Sequence, residues 1–225
     1  MGSPLVKAFG QGDPALARWV EETFQPEDEV LREVRERSLR EGLPTIQVGK
    51  MDGLHLEVLA RGCGARRGVE IGTLGGYSAV CLLRGMGRGG FLHTFEIEPR
   101  NAAVAQESFL RAGLAAQVRI RVGPAVERLR EIEPEGPFDL VFIDADKESY
   151  PRYLAWAEEN LRLGGVVIAD NAFAFGHVHE AGHAGGDASA VAALRAFAEQ
   201  LTRGGRFRAT MLPTAEGLAM GVKVR

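Results

Sequence analysis

Two apolar runs in this 225-residue chain end in clusters of hard oxygen donors. One closes as Phe142-Ile143-Asp144-Ala145-Asp146-Lys147, the other as Ile168-Ala169-Asp170-Asn171. If the runs are neighbouring strands, Asp144, Asp170 and Asn171 surround one point. Two carboxylates and an amide oxygen suit Mg²⁺, which keeps positions open for water or substrate oxygens. The ordinary alternative is a set of helix N-caps, one after each strand. Three such residues together, with an amine three positions beyond the first, favour the ion.

Two earlier segments carry polar residues that a buried strand end does not need. In Val69-Glu70-Ile71-Gly72-Thr73-Leu74-Gly75-Gly76-Tyr77-Ser78 the glycines allow a tight strand-to-helix turn and a close approach by a ligand. The spacing is not the GxGxxG of dinucleotide-binding folds. Glu70 lies within an apolar strand and needs a partner there, which a ligand cation or amine would supply. Glu96 stands twenty residues beyond Gly76, where an acid accepts hydrogen bonds from both ribose hydroxyls. Alone it reads equally as a solvated strand end, but with the glycine turn it points to an adenosine cofactor. His177, His179 and His183 offer imidazoles for zinc without an evident fourth ligand. Their Gly/Ala-rich stretch, Phe175 to Gly186, reads instead as a lid.

Such residues need strand ends to hold them, and the sequence supplies strands from residue 66 onward. Apolar runs at Gly68–Ile71, Phe91–Ile97, Val118–Val122, Phe138–Ile143 and Val166–Ala169 alternate with helical patterns at 77–86, 99–112, 124–133 and 149–162. A further helix is predicted at 187–203. Two last strands, near 206–212 and 217–224, form a hairpin at one edge. The alternation implies an α/β fold with a doubly wound, mainly parallel sheet of seven strands, the last antiparallel. The first sixty residues read as a helical cap. One helix starts at Asp13-Pro14 and carries Leu16, Trp19, Val20 and Phe24, and a second is opened by Pro26. A third covers Asp52 to Arg61 with Leu54, Val58 and Leu59 inward. We read one domain over 1–225, a cap at 1–60 and a core at 61–225.

Hydrophobic residues make up 45% of the chain, enough for a substantial core. A net charge of -3 without a Lys/Arg cluster argues against nucleic acid as a partner. Cys63 and Cys81 are expected to be reduced, buried thiols. No leader, myristoylation signal at Met1-Gly2-Ser3 or membrane span is read from the sequence, so the expected location is cytoplasmic, without membrane association.

The segments GVEIGTLGGYS (ending at Ser78), VFIDADKESY (Val141–Tyr150) and IADNAFAFGHV (Ile168–Val178) resemble O-methyltransferases of the catechol and caffeoyl-CoA type, most of all small bacterial members. The resemblance extends from about Leu43, through IQVGKMDGLHLEVL, to the closing LPTAEGLAMGVKV. It implies a Rossmann-like methyltransferase that uses S-adenosylmethionine (SAM) and Mg²⁺, with Mn²⁺ or Ca²⁺ as alternatives. It further implies Asp144, Asp170 and Asn171 as metal ligands, Lys147 as catalytic base and Glu96 on the cofactor ribose. Val48, Glu70, Gly72, Thr73 and Ser78 fall around the methionine portion, Ala125 falls beside the adenine, and Asp144 also borders the cofactor. Asp146, Lys147 and Asn171 fall on the substrate side. The acceptor would be a small aromatic molecule and the assembly a homodimer, with the N-terminal cap contributing to the substrate site and the dimer interface. Gly75 departs from the Thr common before GYS, and Phe175 occupies a position that is polar in plant caffeoyl-CoA enzymes. A nucleotide-dependent oxidoreductase and a methyltransferase acting on RNA or protein are the rival readings.

Overall fold

A computed structural model describes residues 13–225; the Met1-Gly2-Ser3 start and the opening of the expected cap lie outside the described residues. Helix α1 spans Pro14–Phe24, and the Asp13 carboxylate caps it by accepting the Ala15 N–H at 2.8 Å. Helix α2 spans Glu29–Arg40, three residues later than the start read from Pro26. Asp28 is extended and accepts the Leu31 N–H, so the cap falls there, while Glu27 turns away to pair with Arg35 at 2.9 Å.

Helix α3 (Lys50–Gly62) buries Asp52, Gly53, Leu56 and Ala60; of the residues expected inward, Leu59 packs half-buried against the core, Leu54 is half-buried and Val58 is exposed. Close packing sets this rotation. The small-residue stripe lies on helix α4 (Tyr77–Met86): a Cβ at Gly53 would meet Cys81 Sγ at 2.9 Å, and one at Gly85 would meet Glu57 O at 2.2 Å. Backbone proximity, not side-chain bulk, decides which face is buried.

The core then alternates as expected. Strand β1 (Arg67–Ile71) leads to α4, β2 (Phe91–Glu96), α5 (Pro99–Arg111), β3 (Val118–Val122) and a short α6 (Ala125–Arg128). After these come β4 (Phe138–Ile143), α7 (Tyr150–Asn160), β5 (Leu161–Ala169), α8 (Ala188–Arg203), β6 (Phe207–Leu212) and β7 (Leu218–Lys223). The single helix expected at 124–133 breaks after one turn into a 3-10 segment, Leu129–Glu135, that contains Pro134. Helix α7 stops at Asn160, two residues before the expected end at 162. Leu161 is already extended and paired with Phe138, and the register shifts before Leu140 meets Val166.

The seven strands lie in the order β3-β2-β1-β4-β5-β7-β6, parallel except for β7, which runs antiparallel to both neighbours. Helices cover both faces. Val69, Ile71, Val141 and Ile143 pack with Tyr150, Leu154, Leu194 and Phe197 on one side. Leu92, Leu140 and Phe142 pack with Leu56, Val80, Leu83 and Phe109 on the other. Cys81 is buried but Cys63 only half-buried, and both are free thiols. No helix among the described residues is long and apolar enough to cross a membrane.

Strand register aligns the residues at the carboxyl ends. Ile71 pairs with Phe95 and with Ile143, and Ile143 pairs with Ala169. The next residue on each strand therefore lies in one row: Glu96, Gly72, Asp144, Asp170.

Candidate active site

That row borders a cavity of about 750 Å³ at the carboxyl ends of β1, β2, β4 and β5, where strand order reverses. Val48, Gly72, Thr73, Ser78, Glu96, Ala125, Asp144, Asp146, Lys147 and Asn171 all line it. Two expected residues, Glu70 and Asp170, are buried beside the cavity but absent from its wall.

On the β1–β2 side, Gly72 adopts φ +99, and a Cβ there would fall 1.9 Å from the Asp144 carbonyl oxygen. The close approach that requires this glycine is thus by the neighbouring strand, not a ligand alone. Gly75 is explained the same way: a Cβ would sit 2.0 Å from Ser38 Oγ, so a threonine has no room against α2. Glu70 is fully buried and finds its partners within the protein, accepting from Ser78 Oγ at 2.7 Å and Thr94 Oγ1 at 2.6 Å. Burial pushes its carboxyl up to about 8 despite these hydrogen bonds. It holds Ser78 from behind. Glu96 is buried rather than a solvated strand end. Its Oε2 accepts the Leu74 N–H at 2.7 Å, and its Oε1 accepts the Glu98 N–H at 2.9 Å and the Asn101 amide at 3.4 Å, which fixes the carboxylate.

On the β4–β5 side, Lys147 Nζ donates to Asp144 Oδ1 and to the Tyr150 hydroxyl, both at 2.9 Å. Tyr150 is fully buried, which drives its phenol well above the ordinary range, so it serves as a neutral acceptor. Asp146 is held by the Tyr153 hydroxyl at 2.6 Å. Asp170 Oδ1 accepts the Asn171 N–H at 2.8 Å, and Asn171 itself takes a left-handed φ of 56°. Burial first, and then the Asp144 charge, push the Asp170 carboxyl up to about 7. None of the three oxygen donors caps a helix; the residue preceding the Lys147–Ser149 turn is Asp146, and it makes no side-chain cap. Two acids placed where one disfavours the ionisation of the other, beside an amide oxygen, form a site that a divalent cation would relieve.

Sequence reasoning missed three contributors. Tyr150 and Tyr153 fall within the helical pattern at 149–162, which says nothing of their hydroxyls, yet these hold Lys147 and Asp146. Asp52, buried on α3 with its carboxyl raised by desolvation, adds its charge to the surroundings of Asp170. An acid next to Gly53 on a close-packed helix face was the available signal. Phe175, still 45% exposed, also lines the cavity.

Comparison with known proteins bears on the family and the fold. A family model described as O-methyltransferase matches residues 21–224. A catechol O-methyltransferase of Mycobacterium tuberculosis is 41% identical over 81% of each chain, and one of Niastella koreensis is 39% identical over 73% of this chain and 75% of its own. An O-methyltransferase from Bacillus cereus, solved in complex with SAH, superposes with a TM-score of 0.85 at 36% identity, covering 93% of this chain and 97% of that one.

Proposed function

This chain belongs to the O-methyltransferase family, and from that premise we propose that it transfers a methyl group from SAM to one hydroxyl of a catechol-like or related vicinal-diol aromatic small molecule. One observation carries the reading: Val48, Thr73, Ser78, Glu96 and Ala125 line the same cavity as Asp146, Lys147 and Asn171, with Gly72 against Asp144 at their junction.

On the donor side, the fixed Glu96 carboxylate on the cavity wall suits the ribose hydroxyls, with the Asn101 amide, 3.4 Å from its Oε1, able to give way to one of them. Ala125 borders the adenine, and Val48, Gly72, Thr73 and Ser78 surround the methionine portion. Glu70 acts on that portion indirectly, through Ser78. The Bacillus cereus relative, with SAH bound, supports this donor.

On the acceptor side, Asp144, Asp170 and Asn171 would hold Mg²⁺, with Mn²⁺ or Ca²⁺ suited to the same oxygens. Bound there, the cation would offset the buried acids and favour ionisation of a phenol whose ordinary pKa is about 10. Asp144 engaged with a cation would no longer hold Lys147 as its ion-pair partner. Lys147, in its neutral amine form and anchored by Tyr150, would then take the hydroxyl proton. The acceptor oxygen then forms its bond to the methyl carbon as the sulfur–methyl bond breaks, leaving the thioether. Asp146, fixed by Tyr153, and the Asn171 side chain orient the diol. Holding donor and acceptor in one cavity contributes on the order of 7–11 kcal/mol through orientation.

A homodimer belongs to the same reading. Helix α1 has no buried residue and exposes Trp19 (58%) and Phe24 (59%), an apolar stripe that a second copy would cover. The deciding assay incubates the protein with methyl-labelled SAM, Mg²⁺ and a panel of catechols and caffeoyl esters. Label is expected in an aryl methyl ether; no transfer to any vicinal diol would remove the proposal.

A further inference from the structure

We propose that the segment between β5 and α8 carries a second cation site, formed by His177, Glu180 and His183 and suited to a zinc-class ion. The sequence showed the imidazoles but not the carboxylate that completes the set. In the structure, Glu180 Oε2 lies 3.1 Å from His177 Nδ1 and 3.1 Å from His183 Nδ1. The donor atoms of all three residues fall within 4.8 Å of one another. Donors around tetrahedral zinc, each about 2.0–2.2 Å from the ion, stand about 3.3 Å apart. Both Glu180 contacts match that spacing, and the two histidine donors lie within 4.8 Å of each other.

Tautomer and orientation point the same way. His183 Nε2 lies 2.7 Å from Asp187 Oδ1 and Nδ1 lies 3.1 Å from Glu180 Oε2, so a ring that donates its Nε2 proton to Asp187 would turn its Nδ1 lone pair to an ion beside Glu180. A carboxylate behind an imidazole is the arrangement that orients metal-bound histidines. His177 Nδ1 is screened from solvent and makes no hydrogen bond, although Glu180 is 3.1 Å away. The two rings stack with centroids 4.2 Å apart and planes 25° apart, which suits neutral imidazoles and disfavours two imidazolium ions. Both rings direct Nδ1 at the same Glu180 oxygen, and one cation among the three would take all of them as ligands. His177 and Glu180 are partly exposed, so an ion can enter and water can take the fourth position.

The ligand set separates this site from the oxygen donors of the cavity, because imidazole favours zinc over magnesium. Its place gives it a role. The segment starts with non-glycine residues at left-handed φ (Asn171 at 56°, Ala174 at 48°, Phe175 at 56°) and sets Phe175 on the cavity wall. An ion joining three side chains just beyond Phe175 would hold that wall in one conformation.

Chelator-treated full-length protein in excess Mg²⁺, titrated calorimetrically with ZnCl₂, tests the proposal. One equivalent per chain is expected. His183→Ala and Glu180→Ala should each lower affinity by about 100-fold or more, and Asp187→Ala by about 10- to 100-fold. His179→Ala should change nothing, since its ring is largely exposed and 3.9 Å from Glu180 Oε1. Amide hydrogen exchange across 171–187 should slow when zinc is added. Absence of zinc binding in excess Mg²⁺, or undiminished binding by folded His183→Ala, would overturn the site.

Discussion

Lys147 Nζ and Asp144 Oδ1 are 2.9 Å apart, so the amine assigned as base and a carboxylate assigned to the cation share one ion pair. Lys147→Met removes the base and leaves Asp144 free for the ion. The expected result is a loss of kcat by about 10²- to 10⁴-fold, with S-adenosylhomocysteine affinity by calorimetry unchanged. A near-native rate would reassign the base.

Chelation separates the two halves of the cavity. Treatment with EDTA should abolish methyl transfer and Mg²⁺ should restore it, while S-adenosylhomocysteine still raises the melting temperature. Turnover that survives exhaustive chelation would remove the role of Asp144, Asp170 and Asn171 as ligands.

Glu70 makes stability fall toward alkaline pH. Its carboxyl is raised from an ordinary 4.5 to about 8, so the folded state favours the neutral form. That contribution is fully present below the unfolded value and is lost as pH rises through about 8. Glu70→Gln imitates the neutral acid. The melting temperature of the variant relative to the parent should therefore increase between about pH 5 and about pH 9. A difference independent of pH would show that Glu70 is ionised throughout.

Gly72→Ala combines a φ of +99° with a Cβ 1.9 Å from the Asp144 carbonyl oxygen. We expect a loss on the order of 3 kcal/mol in denaturant unfolding. Gly64→Ala, at φ +64 with nothing within 4 Å, should lose about 1 kcal/mol. Equal losses would mean that the strand ends can separate without strain.

Trp19→Glu places a charge on the exposed stripe of α1. In light scattering, the parent should have the mass of a dimer and the variant should dissociate with its melting temperature little changed. A monomeric parent would leave that stripe without a second copy.

What could be read from residues alone depended on the strength of each periodic signal. The strands around Glu70, Phe142 and Ile168 are nearly continuous apolar runs, and they were placed to within a few residues because burial on both faces admits little else. Helix α3 was misoriented because its apolar residues lie on more than one side and contact with Gly85 chose between them. The 3-10 segment around Pro134 was missed because its preceding turn has ordinary helical spacing. Within the site, the acids were identifiable because charge at the end of an apolar strand is costly. The tyrosine hydroxyls were not, because a phenol on an apolar helix face looks the same whether its oxygen is idle or holding a lysine. Glu180 escaped notice for a similar reason, being one acid among many until the chain turned it toward two histidines.

Reversal of strand order between β1 and β4 has a consequence for descent. Every residue assigned to the methyl donor alone precedes residue 126, and every residue assigned to the acceptor lies beyond residue 143, with Asp144 at the seam. The gene is thus divisible near Pro137 into a portion that can be inherited unaltered and a portion free to diversify. Hybrids joined there should keep the donor affinity of one parent and acquire the aromatic preference of the other.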